Sequence, residues 1–203
     1  MNKVKIGIMG GSFNPIHMGH LMIAEEARQA LGLEKIYFVP SYQTPQKEVQ
    51  GATPLQRLEM TQLATADNPY FKVSDWEIQQ ASISYTINTI THFATHWGKG
   101  VTIYFISGTD TIHDLIYWKE PEAILDACYV VGAVRPDGTE NIDQAVAYFG
   151  TRSKKIIKLP VPAMEISSTD IRNRLSEGKS VRYFLPTVVQ EYIEVNGVYK
   201  WRG

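Results

Sequence analysis

An α/β fold built on a Rossmann-like, doubly wound parallel sheet is predicted by three features of the sequence. Short apolar runs alternate with helical stretches along the chain, most of those runs are nearly continuous, and the first leads straight into a glycine-rich turn. Continuous apolar runs suit strands covered on both faces, and alternation with helices is the pattern of a parallel sheet. Ligands in such sheets bind beyond the carboxyl ends of the strands. The loops after residues 9, 39, 106 and 134 are therefore where a site is expected.

The elements follow in order. Val4–Met9 is the first strand, and the turn after it opens a helix from about Met18 to Leu31. Lys35–Val39 is the second strand, stopped by Pro40; residues 40–53 carry Pro40, Pro45 and Gly51 and read as a long loop. Pro54 suits the first turn of a helix reaching about Asp67. A short strand is expected near Phe71–Val73, and Ser84 is expected to cap a helix ending near Trp97, before Gly98 and Gly100. Val101–Ile106 is the clearest strand. Two short helical stretches lie between residues 109 and 126, then a strand over Cys128–Val134 and a turn at Pro136-Asp137-Gly138. A helix near 142–149, a strand over Lys155–Leu159, a helix opening at Ser168 and a last helix near 187–195 complete the chain.

A chain of 203 residues is enough for one sizeable α/β domain over 1–203, with a small C-terminal helical part from about 166. The net charge of -1 argues against a protein that coats nucleic acid or an acidic membrane, because such binders carry a basic excess. It leaves room for a small anionic substrate. The single cysteine, Cys128, can form neither an internal disulfide nor a cysteine-rich zinc site, and its apolar neighbours mark it as core. No secretory signal and no membrane span are visible, so a cytoplasmic protein is expected. A homo-oligomer is left open by the sequence.

Two segments carry chemistry. The first is Gly10-Gly11-Ser12-Phe13-Asn14-Pro15-Ile16-His17-Met18-Gly19-His20. Glycines after a buried strand let the backbone approach a ligand. The helix that follows offers unpaired N–H groups and a partial positive charge, which suits phosphate. His17 and His20 fall on one face of its first turn, where imidazoles can donate to phosphate oxygens. A two-histidine metal site lacks an evident third ligand. The second segment is Ile166-Ser167-Ser168-Thr169-Asp170-Ile171-Arg172. Ser167 and Ser168 are good helix caps. Their hydroxyls, the free N–H groups and a forked Arg172 one turn on make a second anion site.

The first segment resembles the H-x-G-H signature of the nucleotidyltransferase superfamily, which also includes class I aminoacyl-tRNA synthetases. Asn14 stands where Asp is usual. The second resembles that superfamily's I-S-S-T-x-x-R signature for the β and γ phosphates of ATP; the lysine-rich K-M-S-K-S loop of the synthetases is not present. Within the superfamily, nearly the whole chain resembles the bacterial nicotinate-mononucleotide adenylyltransferases. Pro40–Lys47 is similar to the family loop ending P-H-K, with Gln46 in place of His. Ser84-Tyr85-Thr86-Ile87-Asn88-Thr89 is similar to its S-Y-T-x-D-T helix start, with Asn88 in place of Asp. Gly108-Thr109-Asp110 resembles its G-A-D turn. Trp118, Arg135-Pro136 and the packing pattern around Tyr183–Pro186 and Tyr192-Ile193 also match.

The resemblance implies transfer of the adenylyl group of ATP to nicotinate mononucleotide, releasing pyrophosphate. It implies catalytic roles for His17, His20 and Arg172. It implies that ATP meets Gly10, Gly11, Ser12, Phe13, His20, Gly108, Asp110, Ile166, Ser168, Thr169 and Arg172, with Asp110 accepting from ribose hydroxyls. Nicotinate mononucleotide is implied to meet Asn14, Lys47, Tyr85, Thr86, Trp118 and Arg135, the backbone near Tyr85 and Thr86 serving the ring carboxylate. Mg2+ is implied as a companion of the ATP phosphates, with no protein metal site. Two other readings stand beside this one. Another H-x-G-H enzyme, such as a pantetheine-phosphate adenylyltransferase or a cytidylyltransferase, would lack the Ser84–Thr89 and Trp118 segments. A non-catalytic nucleotide sensor would not need both histidines.

Overall fold

The computed structural model describes residues 3–45, 51–108, 111–134, 143–162 and 164–199. Six strands form one sheet: β1 (Val4–Gly11), β2 (Lys35–Pro40), β3 (Phe71–Val73), β4 (Val101–Ser107), β5 (Tyr129–Val134) and β6 (Ile156–Pro160). Their order is β3-β2-β1-β4-β5-β6, and every pairing is parallel. The chain thus winds outward from β1 in one direction, then returns to β4 and winds the other way. The reversal leaves a crevice between the carboxyl ends of β1 and β4. Gly11 at the end of β1 pairs with Pro40, and Met9 with Ile106, so the turns after β1, β2 and β4 open at one edge.

Side-chain alternation divides the strands between two cores, as expected for a sheet buried on both faces. Met9, Phe38, Ile106 and Val131 face one core, and their neighbours Ile8, Val39, Phe105 and Val130 face the other. The first core is covered by α1 (Met18–Leu31), α2 (Pro54–Thr65), α8 (Ser168–Ser176) and α9 (Thr187–Asn196), through Ala24, Met60, Ile171 and Ile193. The second is covered by α4 (Thr86–Trp97), α5 (Thr111–Asp114), α6 (Pro121–Ala127) and α7 (Asp143–Phe149), through Ile90, Ile112, Ile124 and Phe149.

Local chemistry sets the helix ends. Thr53 caps α2: its side chain accepts from the Gln56 N–H at 3.2 Å, while Gln56 accepts from the Thr53 N–H at 2.9 Å, and Pro54 takes the first helical position. Gly32 ends α1 in the left-handed region (φ 64°), a conformation that costs an L side chain energy and glycine none.

Three expectations need correction. A short helix, α3 (Trp76–Gln80), lies where none was expected; its five residues are too few to show a period. Ser84 does not cap α4. The cap position is Tyr85, with no side-chain cap, and Ser84 Oγ instead accepts from the Tyr42 N–H at 3.0 Å. The strand predicted from Cys128 begins at Tyr129. Cys128 closes α6 and is core, its thiol pushed up to about 12 by burial.

Candidate active site

The turn after β1 is held by packing as much as by hydrogen bonds. Phe13 is buried under it and meets the His20 ring edge-on at 5.1 Å. His17 occupies the cap position of α1, and its N–H donates to His20 Nδ1 at 3.2 Å. The two imidazoles stack with centroids 3.7 Å apart. Burial lowers the His17 pKa to about 4; burial, and then the neighbouring His17, hold His20 well below its usual range. Both rings are therefore neutral at pH 7 in the ligand-free protein. His17 Nδ1 is buried without a hydrogen-bond partner, a polar atom waiting for one. Gly19 has a steric reason to be glycine: a Cβ there would lie 3.1 Å from His17 Nδ1. Gly10 has another, since its Cβ would come within 3.0 Å of the Phe105 ring.

The second motif docks on the first through contacts 153 and 158 residues apart in sequence. Ser167 caps α8 by accepting from the Asp170 N–H at 3.0 Å. Ser168 Oγ donates to the Pro15 carbonyl at 2.9 Å. Arg172 donates through Nη1 to the Asn14 carbonyl at 2.8 Å and through Nη2 to Thr169 Oγ1 at 3.3 Å. Ile166 is half-buried, its carbonyl 3.9 Å from where a Gly19 Cβ would stand. His17, His20, Ser168, Thr169 and Arg172 thus gather around one turn. Two helix N-termini, those of α1 and α8, meet there.

Beside this turn lies a cleft of about 500 Å³ at the carboxyl end of the sheet. Gly10, Gly11, Ser41, Tyr85, Thr86, Trp118 and Lys119 line it. Trp118 stands perpendicular to Phe105, with ring centroids 5.8 Å apart, and is half-buried. The structure therefore brings the α4 start and Trp118 to one cavity with the β1 turn. Gly108 follows β4 and is exposed. Asn14 is buried, and its Oδ1 already accepts from Tyr199 Oη at 2.7 Å and from the Ala52 N–H at 3.4 Å. Lys47, Asp110 and Arg135 lie outside the described residues, as does Gln46.

Several residues at the site were not anticipated. Arg57 on α2 is fully buried and donates to the Ser12 carbonyl at 2.6 Å and the Tyr42 carbonyl at 2.9 Å. It ties the turn after β1 to the loop after β2. Glu77 on α3 is buried in the cleft wall and accepts from Thr89 Oγ1; burial raises its pKa, and hydrogen bonds from Ser84 and Thr89 oppose that shift. Ser41 Oγ is buried with no hydrogen-bond partner. A lone Arg in an amphipathic helix, or a Glu in a helix of five residues, carries no sequence signal of such a role. Among the described residues no group of three His, Cys, Asp or Glu side chains could hold a metal ion, and no helix is long and apolar enough to cross a membrane.

The fold, the crevice position and the two joined motifs define a nucleotidyltransferase. Residues 8–174 match the cytidylyltransferase-like family, and the chain belongs to that family. Its relatives narrow the group to the nicotinate-nucleotide adenylyltransferases. A probable nicotinate-nucleotide adenylyltransferase of Moorella thermoacetica is 42% identical over 201 residues, 98% of this chain and 93% of that protein. One from Desulfitobacterium hafniense (strain Y51) is 40% identical over 97% of this chain and 96% of its own length. The fold is also that of the Plasmodium falciparum nicotinic acid mononucleotide adenylyltransferase solved with NaAD (TM-score 0.78, 19% identity, 97% of each chain).

Proposed function

We propose that this cleft transfers the adenylyl group of ATP to nicotinate mononucleotide, yielding nicotinate adenine dinucleotide and pyrophosphate for NAD biosynthesis. The observation that carries the reading is the junction of His17 and His20 with Ser168, Thr169 and Arg172 around the turn after β1, whose Gly10 and Gly11 also line a cleft with Tyr85 and Trp118. One half of the site suits phosphates and the other a flat, charged ring. Two relatives of about 40% identity carry the activity in their names.

In this reading a 5′-phosphate oxygen of the mononucleotide attacks the α-phosphorus of ATP. The new O–P bond forms as the bond from the α-phosphorus to the bridging oxygen of the leaving pyrophosphate breaks. The nucleophile is largely a dianion at neutral pH, because its second pKa is about 6, so no general base is needed. What the protein supplies is alignment of two anions and stabilisation of the charge that builds on the transferring and leaving oxygens. In this reading His17 and His20 donate to those oxygens. Negative charge arriving beside them raises their proton affinity, so they gain charge as the substrate does. Ser168, Thr169 and Arg172, with the free N–H groups of α8, would hold the pyrophosphate end. Gly10, Gly11, Ser12 and Phe13 would bring backbone against the nucleotide, with Gly108 and Asp110 at its ribose. Asn14, Lys47, Thr86 and Arg135 are assigned with Tyr85 and Trp118 to the mononucleotide.

A divalent cation such as Mg2+ neutralises ATP phosphates in this chemistry. In this reading the ion comes with the nucleotide, held mainly by its phosphates. We place the protein in the cytoplasm as one domain over residues 1–203.

The test is pyrophosphate release from ATP with nicotinate mononucleotide, nicotinamide mononucleotide or phosphopantetheine as acceptor. Release highest with nicotinate mononucleotide supports the reading. Release with another acceptor alone keeps the reaction class and overturns the substrate, and release with none overturns the reaction.

A further inference from the structure

The cleft contains one cation among its described lining residues, Lys119, directly after Trp118. Its ammonium lies 4.5 Å from the centroid of the Tyr85 ring. It pairs with no carboxylate among the described residues. Glu77 in the same wall is engaged by Thr89 and Ser84 and faces Arg57, so it does not neutralise Lys119. Glu120, the next residue, does not line the cleft; with Trp76 and His92 it lines the adjoining groove, which shares Glu77, Ser84 and Tyr85 with the cleft.

Tyr85 is also the cap residue of α4, a helix of twelve residues with no side-chain cap. The N–H groups of Asn88 and Thr89 turn back to the Tyr85 carbonyl at 2.9 and 3.4 Å. The earlier N–H groups of the first turn are left for an outside acceptor. A full positive charge and the partial charge of a helix N-terminus therefore meet at one residue, Tyr85, beside the Trp118 ring. The buried, partnerless Ser41 hydroxyl adds a further polar group to the same cavity.

We propose that Lys119 is a specificity-determining residue: held over Tyr85, it favours a pyridine mononucleotide bearing a ring carboxylate over one bearing a neutral amide. The proposal rests on the reaction assigned to the cleft above. The two acceptors have the same ring, ribose and phosphate, and differ by one charge. A carboxylate at the α4 start gains a charge-assisted contact from the ammonium, whereas an amide gains only a dipole. Stacking on Tyr85 restricts the lysine chain beforehand, so less freedom is lost when the carboxylate arrives. Because Lys119 is exposed and solvent screens it, the effect is modest, about five- to tenfold in kcat/KM.

The test compares the wild-type protein with Lys119→Met, which keeps the unbranched apolar stem, and Lys119→Arg, which keeps the charge. Lys119→Met is expected to lower kcat/KM for nicotinate mononucleotide about five- to tenfold, through KM, and for nicotinamide mononucleotide less than about twofold. Lys119→Arg should hold the ratio within about twofold, and added salt should erode the wild-type preference but not that of Lys119→Met. An equal loss with both acceptors would mean that Lys119 only supports the Tyr85 ring, and an unchanged ratio would remove it from recognition; either overturns the proposal. Calorimetric binding of nicotinate mononucleotide to the wild type and to Lys119→Met separates this from the reaction itself. If the wild type shows no turnover, the reaction assignment fails, and equal binding by the two proteins would then overturn the role of Lys119 independently.

Discussion

Tyr199 Oη donates to Asn14 Oδ1 at 2.7 Å, joining the last turn of the described chain to the turn after β1. Asn14 in turn accepts from the Ala52 N–H, and its carbonyl accepts from Arg172. Segments from four regions of sequence thus converge on one buried residue. Tyr199→Phe keeps the ring and removes only the hydroxyl. The expected cost is about 1–2 kcal/mol of stability, because Asn14 Oδ1 loses its short partner in a buried place. Urea unfolding reads this as a lower midpoint with an unchanged slope. An unaltered midpoint would show that the hydroxyl contributes nothing to the fold.

Arg57 is the larger commitment. Its guanidinium is buried and bonded to two backbone carbonyls, Ser12 and Tyr42, that no helix or strand ladder satisfies. Burial lowers its pKa, and the field of Tyr199 and Glu77 opposes that shift. Arg57→Met fills similar volume but leaves both carbonyls without a donor, at roughly 2–4 kcal/mol. Arg57→Lys has the charge but not the fork, so it can serve one carbonyl and should fall between the two. Thermal unfolding ranks the three proteins. A methionine variant as stable as the wild type would mean that other groups satisfy the turn.

The histidine pair makes stability depend on pH in a stated direction. His17 has a native pKa of about 4 against an unfolded value of 6.5. A lowered value means the unfolded chain binds the proton first, so the contribution is complete above pH 6.5 and is lost as pH falls toward 4. The depression corresponds to about 3 kcal/mol at most for this site. His17→Asn removes it. Chemical unfolding between pH 7.5 and 5 should therefore show a steeper loss in the wild type than in the variant. Saturating ATP should flatten the wild-type curve, since phosphates favour the charged rings.

What was legible in the sequence was what is local. The apolar runs marked the strands, and the glycine turn that opens α1 and the Ser167 cap that opens α8 could be read directly, because caps, glycine turns and helix starts are short-range chemistry. That Arg172 would grip the Asn14 carbonyl was not legible, since the partner lies 158 residues away and is a backbone atom without a motif. Arg57, Glu77 and Tyr199 were missed for the same reason: each acts through tertiary contacts. Ser84 was misread because a serine before a helix has two uses, and here its hydroxyl serves the Tyr42 N–H rather than α4.

Gly19 offers a test that separates the site from the fold. It lies inside α1, where alanine is the better helix former by about 1 kcal/mol. Elsewhere on a helix, Gly→Ala would stabilise. Here the new Cβ would sit 3.1 Å from His17 Nδ1 and 3.2 Å from its Cε1, so the ring must shift by a few tenths of an ångström or turn away. His17 is stacked on His20 and cannot move without disturbing that ring too. Gly19→Ala should accordingly leave the melting temperature close to that of the wild type, the helix gain and the contact strain opposing each other. Turnover should drop by about a hundredfold, the scale of a displaced catalytic group. The KM for the mononucleotide should change little, because Tyr85 and Trp118 are untouched. Steady-state kinetics beside a melting curve distinguishes the cases: a variant with full turnover would show that the position of the His17 ring does not govern catalysis.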